Sequence, residues 1–481
     1  MGAPLPPLTD MLASFVAETA EVPKPTVEPA KTLILDTIGV TLAAAERRIG
    51  QIMTHHVAET PGAPATATVM GSGIKASPAM AALANGTLAN ALDFDEGSHL
   101  STHILPAALA VAEQHRLSGQ AVLDAFILAY EASARLMQSI DAKRRLGRGP
   151  THRGWWHVGV VGPMAAAMTA CRLLRLDRQM TATAIGIATA SSGGFRRNMG
   201  TMAKALHSGN AARAGIEAAT LAQRGFTADP AIIESPLGFL QAVVQPEDRD
   251  LAAITERLGR PYVLEGPQRI KRYPACNPGH PLIDAALRLV DEHAVRADKI
   301  ESIVADLHTF SLLRPEPWDD ESAGFSGAFL IAAALVCGRF TLEELTDEAI
   351  HDPRVKAVMK KIGHVPAGRP ETITVSLEGN RTVTVDVQPV SRLSAREDIR
   401  AKFRRCASAV LAQPALECLE AMILTLDQQG DIGGVMAAAS RAGADASPAV
   451  AANGSSGRRD KKPRSVIMTG PASSEHGRKS L

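Results

Sequence analysis

The chain has 481 residues, 46% of them hydrophobic but only 4% aromatic, and a formal net charge of +1. That length allows more than one domain, and a core filled by alanine and leucine rather than by rings favours closely packed helices over a β-sandwich. A near-neutral chain has no global field for nucleic acid, and it contains no strongly apolar, charge-free run of the roughly 18 residues that a membrane span needs.

The first 20 residues lack a basic stretch followed by an apolar one, so they do not read as a signal peptide. Pro6 stands where a myristoylation site needs serine or threonine. Five dispersed cysteines (Cys171, Cys276, Cys337, Cys406, Cys418) read as reduced thiols, and a cytoplasmic location is expected. Helical spacing predicts helices over 10–20 with Thr9 as N-cap, then over 27–46, 77–93, 104–117 and 119–140. Further helices are predicted over 158–175, 178–191 and 207–224. Residues 178–191 are nearly uncharged, which is expected of a helix buried on all sides. Near residue 265 the texture changes. RIKRYP (269–274) and KIESIVADLH (299–308) read as strands, and TITVSLEGN with RTVTVDVQP (372–389) reads as a hairpin turning at Gly379-Asn380. Helices over 280–293, 323–336 and 352–362 interleave with them, and 395–440 returns to helical spacing. The fold class is therefore mainly α with a smaller α+β part. Residues 1–264 and 393–440 are expected to form an all-α domain, 265–392 an α+β domain, and 441–481 a disordered tail. The RRDKKPR run in that tail reads as solvated charge.

The titratable residues gather in short stretches of otherwise small, apolar sequence. Residues 91–106 read ALDFDEGSHLSTHILP, 154–162 read GWWHVGVVG, and 200–209 read GTMAKALHSG. Histidine titrates near neutrality, so such clusters point to proton transfer. His99 and His103 are four apart and would share a face if helical, with Asp93, Asp95 and Glu96 nearby. They could ligate zinc, but HExxH is absent and no third ligand is evident, so no metal is expected. The bland alternative is an acidic N-cap for a helix starting near Ile104. His157 precedes a small-residue helix whose N-terminus favours anions, or else it makes a loop hydrogen bond. Lys204 is either snorkelling or pocketed, and His207 lies three residues on. The glycine-rich SSGGFRRNMG brings Arg196 and Arg197 but lacks P-loop order. In KRYPACNPGHPLIDAA (271–286), Cys276 could be a nucleophile, although a structural thiol is the better reading.

Taken together, LDFDEGSHLSTHILPAALAVAE, GWWHVGVVGPMAAAMTACRLLRLD, KALHSGNAARAGIEAATLAQRGFTAD with PLGFLQAV, and KRYPACNPGHPLIDAALRL resemble the MmgE/PrpD family over most of residues 8–430. That family includes 2-methylcitrate dehydratase, cis-aconitate decarboxylase and iminodisuccinate epimerase. The resemblance implies a large all-α domain built from both chain ends, a smaller α+β lid, a homodimer, and catalysis without metal or organic cofactor. In its decarboxylase branch the active-site positions match Asp93, His103, His157, Lys204 and either Cys276 or His280. The epimerase branch carries tyrosine at the place of His157. Gly97 departs from a threonine of many relatives, Phe329 stands in place of a decarboxylase tyrosine, and Cys276 replaces a histidine of some.

The expectation is a lyase acting on a small di- or tricarboxylate, with no nucleic-acid or membrane partner. Dehydration of the 2-methylcitrate type is the first reading. Decarboxylation of cis-aconitate, epimerisation of an amino-dicarboxylate, and a non-catalytic binding protein on the same fold are the alternatives. The expected catalytic residues are Asp93, His103, His157 and Lys204. His99, Arg196, His207, Lys271, Cys276 and His280 are expected to hold substrate.

Overall fold

The computed structural model describes residues 5–60, 64–305, 314–364, 372–388 and 392–440, so the expected tail at 441–481 lies outside the described residues. Of the described residues 61% are helix and 7% strand, which makes sheet a minor component. Helices α1 (Leu8–Glu18), α2 (Val27–Ala45), α3 (Arg48–Glu59), α4 (Pro78–Ala91), α5 (Ser101–Gln114), α6 (Gly119–Asp141), α7 (His157–Leu173), α8 (Arg178–Thr189) and α9 (Met202–Gln223) carry a first apolar core. A two-strand pair, β1 (Ala67–Thr68) and β2 (Lys75–Ala76), precedes α4. The short helices α10 (Phe239–Val243) and α11 (Ala252–Thr255) lead away from α9.

A second, separate core is built by α12 (His280–Asp291), α13 (Asp320–Ala323), α14 (Gly327–Cys337), α15 (Asp347–His351) and α16 (Pro353–Met359) on a four-stranded sheet. Its strands are β3 (Ile300–Ala305), β4 (Ile362–His364), β5 (Thr372–Leu377) and β6 (Arg381–Asp386), in the order β4-β3-β5-β6. The β5–β6 hairpin pairs Leu377 with Arg381. Its turn uses Gly379 and Asn380 at φ +81° and +65°, the left-handed region these two residue types tolerate best. The chain then returns through α17 (Arg396–Ala407), α18 (Gln413–Leu424) and α19 (Gly433–Ala438), whose Ile399, Phe403, Leu419 and Met436 join the first core.

Small residues set the helix spacing in the first core. A Cβ on Gly209 of α9 would stand 2.2 Å from Leu83 O of α4, and one on Gly215 would stand 2.3 Å from the Ala166 Cβ of α7. Backbones this close bring the N-terminal turn of α9 against the C-terminal end of α4. Lys204 and Asp93 are thereby placed within reach of each other.

Several local expectations differ from the structure: α8 is not buried on all sides, since Arg178, Gln179 and Met180 are exposed, and α9 starts at Met202 and not at 207. Thr9 is not a cap: α1 starts at Leu8, and the Thr9 hydroxyl donates to Glu234 Oε2 (2.6 Å) while accepting from the Ile233 N–H (3.1 Å). RIKRYP is not a strand. Only Ile270 makes bridges, to Glu96 and Leu393, because the Lys271 side chain turns inward to Asp93 instead of alternating. Helix α5 begins at Ser101, not near Ile104. The Glu96 carboxylate accepts from the backbone N–H and hydroxyl of both Ser98 and Ser101, which satisfies donors at the start of α5.

A buried ion pair ties the return segment to this region. Lys402 Nζ of α17 lies 2.7 Å from Asp36 Oδ1 of α2 and donates to the carbonyls of Phe94 (2.5 Å) and Lys271 (3.1 Å). Burial pushes the Asp36 carboxyl up to about 6, against the pull of Lys402. Lys402→Met would strand one carboxylate and two carbonyls in the interior. We expect it to cost about 3 kcal/mol, read as a lower urea midpoint at unchanged m-value.

Candidate active site

Asp93 follows the last turn of α4 in a left-handed conformation (φ 47°), and His99 has φ 60°. Such non-glycine conformations cost free energy and persist where the surroundings hold them. Here Asp93 is held by two ammonium groups. Lys204 Nζ lies 2.5 Å from Oδ1 and Lys271 Nζ 2.9 Å from Oδ2, while Lys271 also donates to the Asp93 carbonyl (2.7 Å). All three residues are at most 5% exposed. Burial alone would raise the Asp93 carboxyl, but the two lysines outweigh it and hold it far below the usual carboxylate range. Burial lowers Lys204, with Asp93 and Asp95 opposing. One carboxylate against two ammoniums leaves the cluster with a net positive charge.

His99 is outside α5, so it does not share a helix face with His103 as the i, i+4 spacing implied. Its Nδ1 lies 2.6 Å from Asp95 Oδ2 and 3.0 Å from Asn90 Nδ2, and its Nε2 lies 3.5 Å from Asp93 Oδ1. Burial, then Lys204 and Lys271, hold His99 well below its ordinary value, while burial pushes Asp95 up to about 7. Burial thus disfavours both the imidazolium and the carboxylate, and the Asp95–His99 pair shares one proton as a neutral unit.

His157 is the first residue of α7. Its Nε2–H donates to the Ser98 carbonyl (3.1 Å), which leaves Nδ1 with a lone pair and no partner. Burial, followed by the repulsion of His99 and Arg144, keeps it neutral. The Trp156 ring packs on His157 at 4.4 Å and on His99 at 5.6 Å between centroids, and it faces Lys204 Nζ at 5.8 Å.

Most of these groups face one cavity. Asp93, His99, His157, Lys271 and Cys276 line it together with Arg144, Asn277 and Phe325, while Lys204 sits behind Asp93 and is not among the lining residues. Its floor carries the charges. One wall is apolar: Trp156, Val158, Met199, Cys276 and Phe325 form a small cluster of their own between the two main cores. Burial pushes the Cys276 thiol up to about 12, so it contributes a neutral S–H and no thiolate nucleophile.

The other expected residues sit elsewhere. His103 is fully buried behind the cavity against Gly162 of α7, with neither ring nitrogen hydrogen-bonded, and burial lowers it to about 3. Arg196 is turned away, because its Nη1 donates to the Thr151 carbonyl (2.5 Å). His207 packs under Gly194 and Gly159, since the α9 twist points it away from the Lys204 tip. His280 donates from Nε2 to the Ala275 carbonyl (3.1 Å) and packs on Tyr273, on the side of the second core. Phe329 is a core residue against Phe340, and the ring at the cavity is Phe325. Sequence reasoning passed over Asp95 as the partner of His99. It also passed over Arg144, Asn277 and Phe325, which lie in irregular segments without periodicity.

Asp93, Asp95 and His99 place three ligand-type atoms within 4.8 Å of one another. This set does not fit a divalent ion, because both Asp93 oxygens already face ammonium groups that a metal would have to displace. Among the described residues, no helix is long and apolar enough to cross a membrane.

Residues 10–252 match the MmgE/PrpD N-terminal domain, and residues 273–428 match the MmgE/PrpD C-terminal domain. The chain belongs to the MmgE/PrpD family. Among its MmgE/PrpD relatives, the cis-aconitate decarboxylase of Mus musculus is 27% identical over 436 residues, covering 84% of this chain and 87% of that protein. That of Homo sapiens is 27% identical over 437 residues, covering 84% and 88%. That of Aspergillus terreus is 26% identical over 467 residues, covering 86% and 91%. The homologues support a lyase.

Proposed function

We propose that this MmgE/PrpD chain is a carboxy-lyase that removes CO2 from cis-aconitate or a close unsaturated tricarboxylate. The names of its relatives favour this over the 2-methylcitrate dehydration ranked first on sequence alone. The observation that carries the reading is the two-sided cavity, with Lys271 and Asp93 on one side, Lys204 paired to Asp93 behind it, and an apolar wall of Trp156, Met199 and Phe325 on the other. A carboxylate lying against that wall loses its hydration and leaves as CO2, while the carboxylates that stay keep their cations.

In cis-aconitate the methylene carboxylate is the leaving group. Its C–C bond breaks, the released pair becomes a new C=C bond, and the old π pair moves to the carbon beside the third carboxylate. Lys204 and Lys271 stabilise the charge that develops there. That carbon then takes a proton, which yields itaconate. The entering polyanion raises the His157 pKa, so Nδ1, unpartnered before binding, acquires the proton that it later delivers. Asp93 keeps the two ammoniums apart from each other and in register.

The same free lone pair on His157 Nδ1 is also the feature that a dehydratase base would need, so dehydration is the second reading. One assay separates the two. The purified chain is incubated in deuterated buffer containing EDTA with cis-aconitate, 2-methylcitrate, citrate and iminodisuccinate in turn, and products are followed by NMR. The expected result is itaconate carrying one deuterium from solvent. Alkene formation from 2-methylcitrate, or deuterium uptake into iminodisuccinate without net change, would replace the proposal.

A further inference from the structure

The two isolated bridges on Ile270 have a consequence at the rim of the cavity. Ile270 pairs with Glu96 on one side and with Leu393 on the other, the Gly97 N–H donates to the Arg269 carbonyl (2.8 Å), and the Leu393 N–H donates to the Ile270 carbonyl (3.2 Å). This fixes Gly97 and Arg392, nearly three hundred positions apart in the chain, side by side. A Cβ on Gly97 would stand 3.2 Å from Arg392 Nη1 and 3.4 Å from Asn277 Nδ2. Gly97 is not in the left-handed region, so the glycine here supplies space and not a backbone conformation. Two side-chain donors thus converge on a notch that any other residue would fill. Arg392 Nη1 is buried without a hydrogen-bond partner, and Asn277 Nδ2 makes only a long contact (3.4 Å) to the Gly97 carbonyl. Gly97 and Asn277 line the same cavity as His157 and Lys271. The nearby Glu96 carboxylate is taken up by Ser98 and Ser101.

The charge balance says what the notch lacks. The interior cluster is net positive by one charge, from Lys204 and Lys271 against Asp93, and the imidazoles around it are neutral. A substrate with three carboxylates needs cations beyond that one charge; Arg144 lines the cavity as one, and at the notch a guanidinium with a free N–H beside an amide is suited to a carboxylate.

We propose that Arg392 and Asn277, converging over Gly97, form a carboxylate subsite that selects tricarboxylates over dicarboxylates. This rests on the lyase reading above for the class of substrate. Its test is equilibrium binding and needs no turnover, so the two fail separately.

The full chain is titrated calorimetrically with tricarballylate, a saturated tricarboxylate, and with glutarate, a dicarboxylate. Wild type is expected to bind tricarballylate at least about tenfold more tightly. Arg392→Gln, and separately Gly97→Ala, which fills the notch with one methyl group, are each expected to weaken tricarballylate about 10–100-fold, the worth of a charged hydrogen bond. Each should change glutarate by less than about threefold. Circular dichroism establishes that both variants are folded, and Gly97→Ala serves where Arg392→Gln does not fold. Unchanged tricarballylate affinity in folded variants would overturn the subsite. So would a wild type that does not discriminate between the ligands or binds neither, whether or not it decarboxylates cis-aconitate.

Discussion

Lys204→Met is expected to lower kcat on the productive substrate by about 10²–10³-fold, the usual cost of deleting one donor from a site that stabilises developing charge. The methionine keeps most of the buried stem, and Asp93 still faces Lys271 at 2.9 Å, so no buried charge is left alone. The loss should therefore appear in kcat with a melting temperature close to wild type. Asp93→Ala is a poorer probe, since two buried ammoniums would lose their counter-ion and the fold would lose about 3–5 kcal/mol with it. His157→Ala is expected to lower kcat by about 10²–10⁴-fold, the range for a general acid–base group. Steady-state kinetics beside thermal melts check both. Turnover within threefold of wild type in the two variants would remove this cavity as the reaction site.

Why some of this site was legible and some not has a physical basis. Asp93, His157 and Lys204 stood out because charged or titratable side chains in Ala- and Gly-rich helical sequence have to be placed somewhere, and the close packing of α4, α7 and α9 leaves them little room except near one another. Spacing misled where the backbone leaves the helix. His99 and His103 are four apart, yet the left-handed turn at His99 puts one ring in the cavity and the other behind it. The pair Arg196-Arg197 looked like an anion site because guanidiniums lie in a glycine-rich loop, but Arg196 uses its N–H groups to hold the 150–153 turn. Arg144, Asn277 and Arg392 were invisible for a different reason. They sit in irregular segments, and only tertiary bridges such as Glu96–Ile270–Leu393 decide what they face. The helices and the β5–β6 hairpin were readable because their periodicity is local. The ends of α1 and α5 were not, because side chains distant in the chain or in the preceding loop set them.

The buried imidazoles should make the fold acid-sensitive well above the carboxylate range. His99, His103, His157, His207 and His280 all lie below their ordinary value because burial disfavours the charged ring, and His103 and His280 fall to about 3. For each, the stabilising contribution is complete above the unfolded pKa near 6.5 and is lost as pH falls toward the folded one. Asp36, Asp95 and Glu321 act in the opposite sense. Burial raises them to about 6, 7 and 9, so they favour the fold at low pH and lose that contribution as pH rises through those values. Between pH 6.5 and 5 the unfolded chain takes up protons on His99, His103, His157 and His280, which the fold keeps neutral, while the fold retains protons on three carboxyls. The net of about one proton favours unfolding, and a loss of about 1–2 kcal/mol is expected over that interval. Urea denaturation at pH 6.5, 5.75 and 5.0 measures it, and stability that holds level or rises would show that these rings protonate in place without penalty. His103→Leu sharpens the test. Neither His103 nitrogen has a partner, so leucine should be tolerated at pH 7 and should reduce the slope by about one proton, near 1.4 kcal/mol per pH unit. Loss of turnover in the same stable variant would tie His103 to the reaction, and unchanged turnover would leave it a core residue.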